Sequence, residues 1–223
     1  MSGVADGTAD LRPPDGPAVR VDRVGLDVPG RPGVLHDVSL HVAPGELVVL
    51  SGRSGSGKSS LCHLVAGVGR PTRGTVVVLG RSAHDWADWT RVTLLPQRLA
   101  LTAELSVAEN VAWPCWLAGA TPRPGLLEAL ALDHIADRLT GESSLGEQQR
   151  TALARALATS PGCAVLDEPT GHQDDGNADR VVDAIVARTP GTAVVVATHD
   201  ERLLAVADRV VRLEAGRLLT TGG

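Results

Sequence analysis

Residues 47–61 read LVVLSGRSGSGKSSL. The four apolar residues at 47–50 fit a short strand buried on both faces. Residues 52–59 then spell GxxxxGK[ST], a pattern that carries physical meaning between a strand and a helix, which is where it stands here. The glycines let successive backbone N–H groups face one phosphate chain, and the helix that follows adds its positive end to the same spot. Gly52, Arg53, Ser54, Gly55, Ser56, Gly57, Lys58, Ser59 and Ser60 are therefore candidate nucleotide-binding residues. Lys58 can reach the β- and γ-phosphates, and the Ser59 hydroxyl suits Mg²⁺. Among 21 basic residues Lys58 is the only lysine. A chain that uses arginine everywhere else has kept a compact ammonium at this one place.

Similar apolar runs recur outward from this stretch: TVVVL at 75–79, AVL at 164–166 and AVVVA at 193–197. They read as further buried strands. Helical stretches are expected at 59–68, 125–139, 146–158 and 177–188. Buried strands alternating with helices specify an α/β fold with a mostly parallel sheet. Alternation from residue 18 (Val19, Val21, Val24, Leu26, Val28) predicts antiparallel edge strands, followed by a turn at 29–33. Residues 100–158 carry almost no strand signal and read as a helical insertion. Residues 209–219 read as a closing hairpin. The Gly-, Pro-, Asp- and Ala-rich residues 1–17 read as a disordered tail. The expected organisation is thus a domain over 18–223, with a core at 18–99 and 159–223 and a helical subdomain at about 100–158.

The acid pair Asp167-Glu168 closes the run at 164–166, and a strand tip is where such sheets bind ligands. Asp167 can hold Mg²⁺, and Glu168 can polarise the water that attacks a γ-phosphate. His199 follows the run at 193–197; it can touch the γ-phosphate, or belong to a plain helix-capping segment, THDE. Gln97 follows VTLLP at 92–96, and its amide can reach a metal or the attacking water. The other six histidines have no comparable setting.

Composition narrows the function. The chain has 223 residues, 21% charged and 43% hydrophobic, as ordinary globular proteins do. A net charge of −5 argues against a broad nucleic-acid face. No uncharged apolar run approaches the roughly 18 residues needed to span a bilayer. Three scattered cysteines fit neither a metal pair nor a disulfide framework, as expected in a reducing cytoplasm.

Taken in order, these motifs resemble the nucleotide-binding subunit of an ABC transporter over about residues 18–220. The phosphate loop spans 52–59, Gln97 sits at the Q-loop, and residues 143–150 form the signature region. The acidic strand covers 164–168, PTG 169–171, Asp174 sits in the D-loop, and His199 is the switch histidine. The stretches SVAENVAWPCWLAG (106–119) and GEQQR (146–150) are similar to the lipoprotein-releasing and macrolide-exporter subgroup. The resemblance implies a P-loop NTPase fold and ATP and Mg²⁺ as cofactors. Glu168 would be the catalytic base, with Gln97 and His199 beside it; Ser59, Asp167 and Gln97 would hold the metal. Two cassettes would pack head-to-tail, with Ser144, Leu145, Gly146 and Glu147 of one chain acting in trans on the other's ATP. Membrane permease subunits would be the further partner, contacted around Gln97 and the helical insertion. The expected location is the cytoplasmic face of the membrane, with no nucleic acid involved. The chain ends shortly after its last hairpin, where several sugar-importer ATPases carry a further regulatory domain.

Three departures stand out. Leu145 replaces the first glycine of the usual signature, and a side chain there would hinder positive φ and close packing on phosphate. A regulatory cassette that hydrolyses poorly beside a competent one is therefore an alternative; a soluble mechanical ATPase is another, disfavoured by the absence of a coiled-coil arm or basic stripe. No aromatic lies near 25–28, where the family stacks the adenine; the chain has no Phe or Tyr, and the spacing of Trp86, Trp89, Trp113 and Trp116 suggests packing. His172 and Gln173 replace the small or apolar residues common in the D-loop.

Overall fold

The computed structural model describes residues 16–219 apart from 87 and 189; of the tail expected at 1–17, residues 1–15 lie outside the described residues. Two sheets carry the fold. The larger has the order β10-β9-β3-β8-β7-β6, with β3 at Leu47–Ser51, β6 at Val92–Leu95, β7 at Cys163–Asp167, β8 at Ala193–Ala197, β9 at Arg209–Glu214 and β10 at Arg217–Leu219. Strands β3, β6, β7, β8 and β9 run parallel; β10 is the antiparallel arm of the expected hairpin. Every residue of β7 and β8 is buried.

The alternation of side chains along these strands divides the interior in two. Val48, Leu50, Val165, Val195 and Ala197 point into one cluster, shared with the second sheet and α1 (Lys58–Val65). Leu47, Val49, Leu166, Val194 and Val196 point into the other. That second cluster is closed by α2 (Val107–Leu117), α4 (Leu145–Leu157) and α5 (Asp175–Val186). Each fully buried Val or Leu contributes about 1.5–3 kcal/mol, so a sheet apolar on both faces holds its strand ends rigidly.

The smaller sheet is antiparallel, in the order β2-β1-β4-β5, with β1 at Val19–Val28, β2 at Arg31–Val42, β4 at Arg73–Val78 and β5 at Arg81–Ser82. It corrects two expectations. The run at 75–79 belongs to β4, which pairs antiparallel with β1 and is exposed at its first three residues. Val76 and Val78 serve one buried face while Val77, on the other, is half-buried, so the run does not mark a strand buried on both faces. Strand β1 lies between two partners and is not itself an edge. Strand β2 was not expected, and the turn shortens to residues 29–30.

Residues 100–158 contain α2, α3 (Leu126–Ala129), α4 and two short 3₁₀ turns, and no strand of either sheet. The helix expected at 125–139 is broken. Ala131 adopts φ 50°, which ends α3 after one turn. Leu126, Leu130, Leu132 and Ile135 are all buried, and an unbroken helix would turn Leu132 away from the face shared by Leu126 and Leu130. The remaining piece of α/β wiring is α6 (Glu201–Val206), capped by the Asp200 carboxylate accepting from Arg202 N.

Candidate nucleotide site

The phosphate loop leaves the carboxyl end of β3, the acid pair that of β7, His199 that of β8 and Gln97 that of β6. These are parallel neighbours, so four segments far apart in sequence meet at one sheet edge. There they line a cleft of about 670 Å³ formed by Val34, Gly52, Arg53, Ser54, Gly55, Gly57, Lys58, Ser59, Ser60, Gln97, Asp167, Glu168, Gly171 and His199. Ser56 alone of the loop residues is not among them; it is buried, and its backbone is tied to Arg53 and Gly216.

Two loop glycines have no substitute. Gly52 has φ 145°, and a Cβ there would lie 2.1 Å from the Leu213 carbonyl oxygen. Gly57, the N-cap of α1, has φ 107° with Leu35 and Val34 against it. Lys58 opens α1 and is only 9% exposed. Its Nζ donates to the carbonyls of Gly52 at 2.7 Å and Arg53 at 3.4 Å, so the ammonium spans the loop.

Asp167 is buried, and burial raises its pKa above the usual carboxylate range; the Ser59 hydroxyl bond and the charges of His63 and Lys58 work against that rise, and Glu168 adds to it. Its Oδ2 is buried without a hydrogen-bond partner. A buried, unsatisfied carboxylate oxygen beside a serine hydroxyl, with the exposed Gln97 amide on the same cleft, is a hard oxygen donor set that fits Mg²⁺.

Glu168 adopts φ 50°, a conformation that costs a non-glycine residue of order 1 kcal/mol or more and persists only when its surroundings enforce it. The enforcement is visible. Its N–H donates to Ala197 O at 2.8 Å, and its carbonyl accepts from Gly171 N at 3.1 Å and from Gln149 Nε2 at 3.1 Å. Its carboxylate accepts from Thr198 Oγ1 at 3.0 Å and lies 3.3 Å from His199 Nδ1. Thr198 and Gln149 escaped the sequence reading. Thr198 carries a faint signal as the residue before His199; Gln149 carries none, because nothing local points a helix residue at a strand end.

The other candidates lie elsewhere. Ser144, Leu145, Gly146, Glu147 and Asp174 do not line the cleft. Ser144 caps α4, its hydroxyl accepting from Glu147 N while the Glu147 carboxylate accepts from Ser144 N. Burial pushes the Glu147 carboxyl up, yet the Ser144 bonds with Arg138 and Arg150 hold it below its ordinary value. Leu145 corrects an expectation: it is the first residue of α4, has no positive φ, and its side chain is half exposed. Helical backbone accepts leucine without strain. Asp174 caps α5, accepting from Asn177 N at 2.9 Å. The tryptophans also depart from expectation. Trp86 packs on the first core cluster, whereas Trp89, Trp113 and Trp116 are 59%, 47% and 55% exposed.

A glycine-rich loop between a buried strand and a helix, with its lysine and serines on one cleft with the carboxylates of a nearby strand tip, places this fold among the P-loop nucleotide-binding proteins. Comparison with known proteins makes the assignment narrower. The chain belongs to the ABC transporter family as an ATP-binding, ATP-hydrolysing subunit: the family model described as ABC transporter matches residues 35–171. The lipoprotein-releasing system ATP-binding protein LolD of Bordetella pertussis is 40% identical over 222 residues, covering 91% of this chain and 96% of that protein. LolD 2 of Caulobacter vibrioides is 42% identical over 200 residues, covering 83% and 88%. Among solved structures, the dimeric post-hydrolysis state of the ATP-binding cassette MJ0796 bound to ADP and Pi superposes with a TM-score of 0.80 at 26% identity, covering 90% of this chain and 96% of that one.

Proposed function

We propose that this chain binds Mg·ATP in the β3–β6 cleft and works as one of two head-to-tail cassettes driving a membrane permease, in the export direction. The observation that carries the chemistry is Glu168, held in a strained backbone conformation with its carboxylate fixed by Thr198 and His199 at the mouth of the phosphate loop. Lys58 and the loop amides bind the phosphates. Ser59, Asp167 and Gln97 would hold Mg²⁺, which would supply positive charge against the phosphates. Glu168 takes the proton of the attacking water, and His199 positions the γ-phosphate. Similarity to LolD proteins and to a dimeric cassette supports the transporter assignment and the pairing. We take 18–99 and 159–223 as the catalytic core and 100–158 as the helical subdomain that carries the signature. The regulatory alternative rested on backbone strain and on hindered close packing at Leu145; helical geometry takes away the first of these grounds.

No helix among the described residues is long and apolar enough to cross a membrane. We assign the membrane pathway to a permease partner, and one surface of the fold suits its docking. A largely apolar groove of about 530 Å³ is lined by Trp89, Thr93, Leu94, Trp113, Pro114 and Leu117, among others. Pro96 and Ala100, on either side of Gln97, belong to the groove, whereas Gln97 lines the nucleotide cleft. One short segment thus borders both cavities, a direct mechanical route from nucleotide to permease. Losing one buried aromatic anchor costs about 2 kcal/mol at an interface, roughly thirtyfold in affinity. Trp113→Glu should therefore lose co-purification with the permease by at least that factor while melting at the wild-type temperature. Wild-type recovery of the complex would remove this groove from the permease contact.

The cleft makes a second prediction about the base. Val34 is the only apolar side chain among the described residues that line it, and no Trp, Phe or Tyr ring does. Stacking is worth about 1–3 kcal/mol per base and any base can stack, so a cleft with neither a stacking ring nor a base-edge contact binds through the phosphates and holds adenine and guanine nearly alike. GTP should inhibit ATP hydrolysis with a constant within about fivefold of the KM for ATP. A preference for ATP above about thirtyfold would show a base contact that this cleft does not contain.

A further inference from the structure

The two D-loop residues that departed from the family pattern lie against the signature helix, and one of them joins the two. Gly146, Gln149 and Arg150 of α4 recur at i, i+3 and i+4, so they share one face. That face meets residues 168–173. A Cβ on residue 146 would sit 2.9 Å from the His172 carbonyl oxygen, so the backbones approach as closely as glycine permits. The Gln173 carboxamide fills the junction. Its Nε2 donates to Gly146 O at 3.0 Å and to Gly171 O at 3.2 Å, and its Oε1 accepts from Arg150 Nη1 at 2.7 Å. Arg150 is buried and anchored in turn, its Nε donating to Leu130 O at 2.9 Å. Alongside, Gln149 Nε2 reaches Glu168 O at 3.1 Å. A leucine at 173 would leave two carbonyls and a buried guanidinium N–H without these partners.

We propose that Gln173 is a positioning residue that latches the N-terminus of α4 to the segment 168–174, so that the signature residues and Asp174 meet the partner cassette as one rigid unit. The latch rests on the two-cassette arrangement proposed above, because only there do both segments act on a shared nucleotide. Gln173 does not line the nucleotide cleft, so its effect falls on turnover and pairing and leaves the cis phosphate contacts alone.

The test uses the full chain carrying Gln173→Leu, with Gln173→Glu as the isosteric companion. The glutamate still accepts from Arg150 but sets a carboxylate against the Gly146 and Gly171 carbonyls. Both variants should lower kcat about tenfold with KM for ATP within twofold. In a Glu168→Gln background, both should weaken Mg·ATP-dependent dimerisation, read by sedimentation, by at least tenfold. A lowered melting temperature with kcat and dimerisation unchanged would mean that Gln173 only packs, and would overturn the latch. Absence of dimerisation in the Glu168→Gln parent would overturn the two-cassette arrangement and the latch with it. Dimerisation in the parent that persists equally in the double variants would overturn the latch alone.

Discussion

Glu168→Gln should bind Mg·ATP with a Kd within about twofold of wild type and hydrolyse it about 10²–10⁴-fold more slowly. A positioned general base is worth that range, and a carboxamide of the same shape cannot accept the proton. The geometry makes the substitution clean. Glutamine keeps an oxygen for Thr198 Oγ1, 3.0 Å away in the wild type, and leaves the main-chain bonds to Ala197, Gly171 and Gln149 intact. The left-handed backbone at Glu168 should therefore be preserved, and the loss should appear in kcat. Phosphate release under single-turnover conditions, with nucleotide binding measured separately, checks both halves. Turnover near the wild-type rate would remove Glu168 from its role and leave the strained backbone unexplained.

Lys58→Ala should weaken ATP binding by about thirtyfold to several thousandfold. Removing one member of a buried, hydrogen-bonded charge pair costs 2–5 kcal/mol, much of it from the partner left uncompensated. Here the partners are the phosphates and the carbonyls of Gly52 and Arg53, which the ammonium bridges at 2.7 and 3.4 Å. Lys58→Arg should not restore the site, because a planar guanidinium is too wide for a position only 9% exposed inside a glycine loop. Calorimetric titration with Mg·ATP measures the effect directly. An unchanged affinity in Lys58→Ala would contradict the phosphate-loop assignment, on which every other role in the cleft depends.

The site was largely legible because its chemistry is local in sequence. The phosphate loop is eight consecutive residues, and Asp167-Glu168, His199 and Gln97 each follow an apolar run that marks a strand. Parallel strands put their carboxyl ends on one side, so knowing the strands was enough to expect the four segments together. The support around them was not legible. Gln149, Thr198 and the Arg150–Gln173 pair act across 19 to 30 residues of chain, and Gln and Thr serve equally well on a solvated surface. The helix expected at 125–139 failed because its four buried Leu and Ile residues fit a helical period only up to Leu130; burying Leu132 required the break at Ala131.

By itself the sequence determined the alternation of buried strands with helices, the anion cradle with its one lysine, and the acids and histidine that flank it. Those properties live in neighbouring residues, where backbone conformation and side-chain type act over a few bonds. Tertiary structure alone decided which sheet TVVVL joins, that three of four tryptophans face outward, that Leu145 sits on relaxed helical backbone, and that Gln173 ties α4 to the segment after β7. Each depends on what lies opposite a residue once distant segments have packed, and one-dimensional patterning carries no record of that.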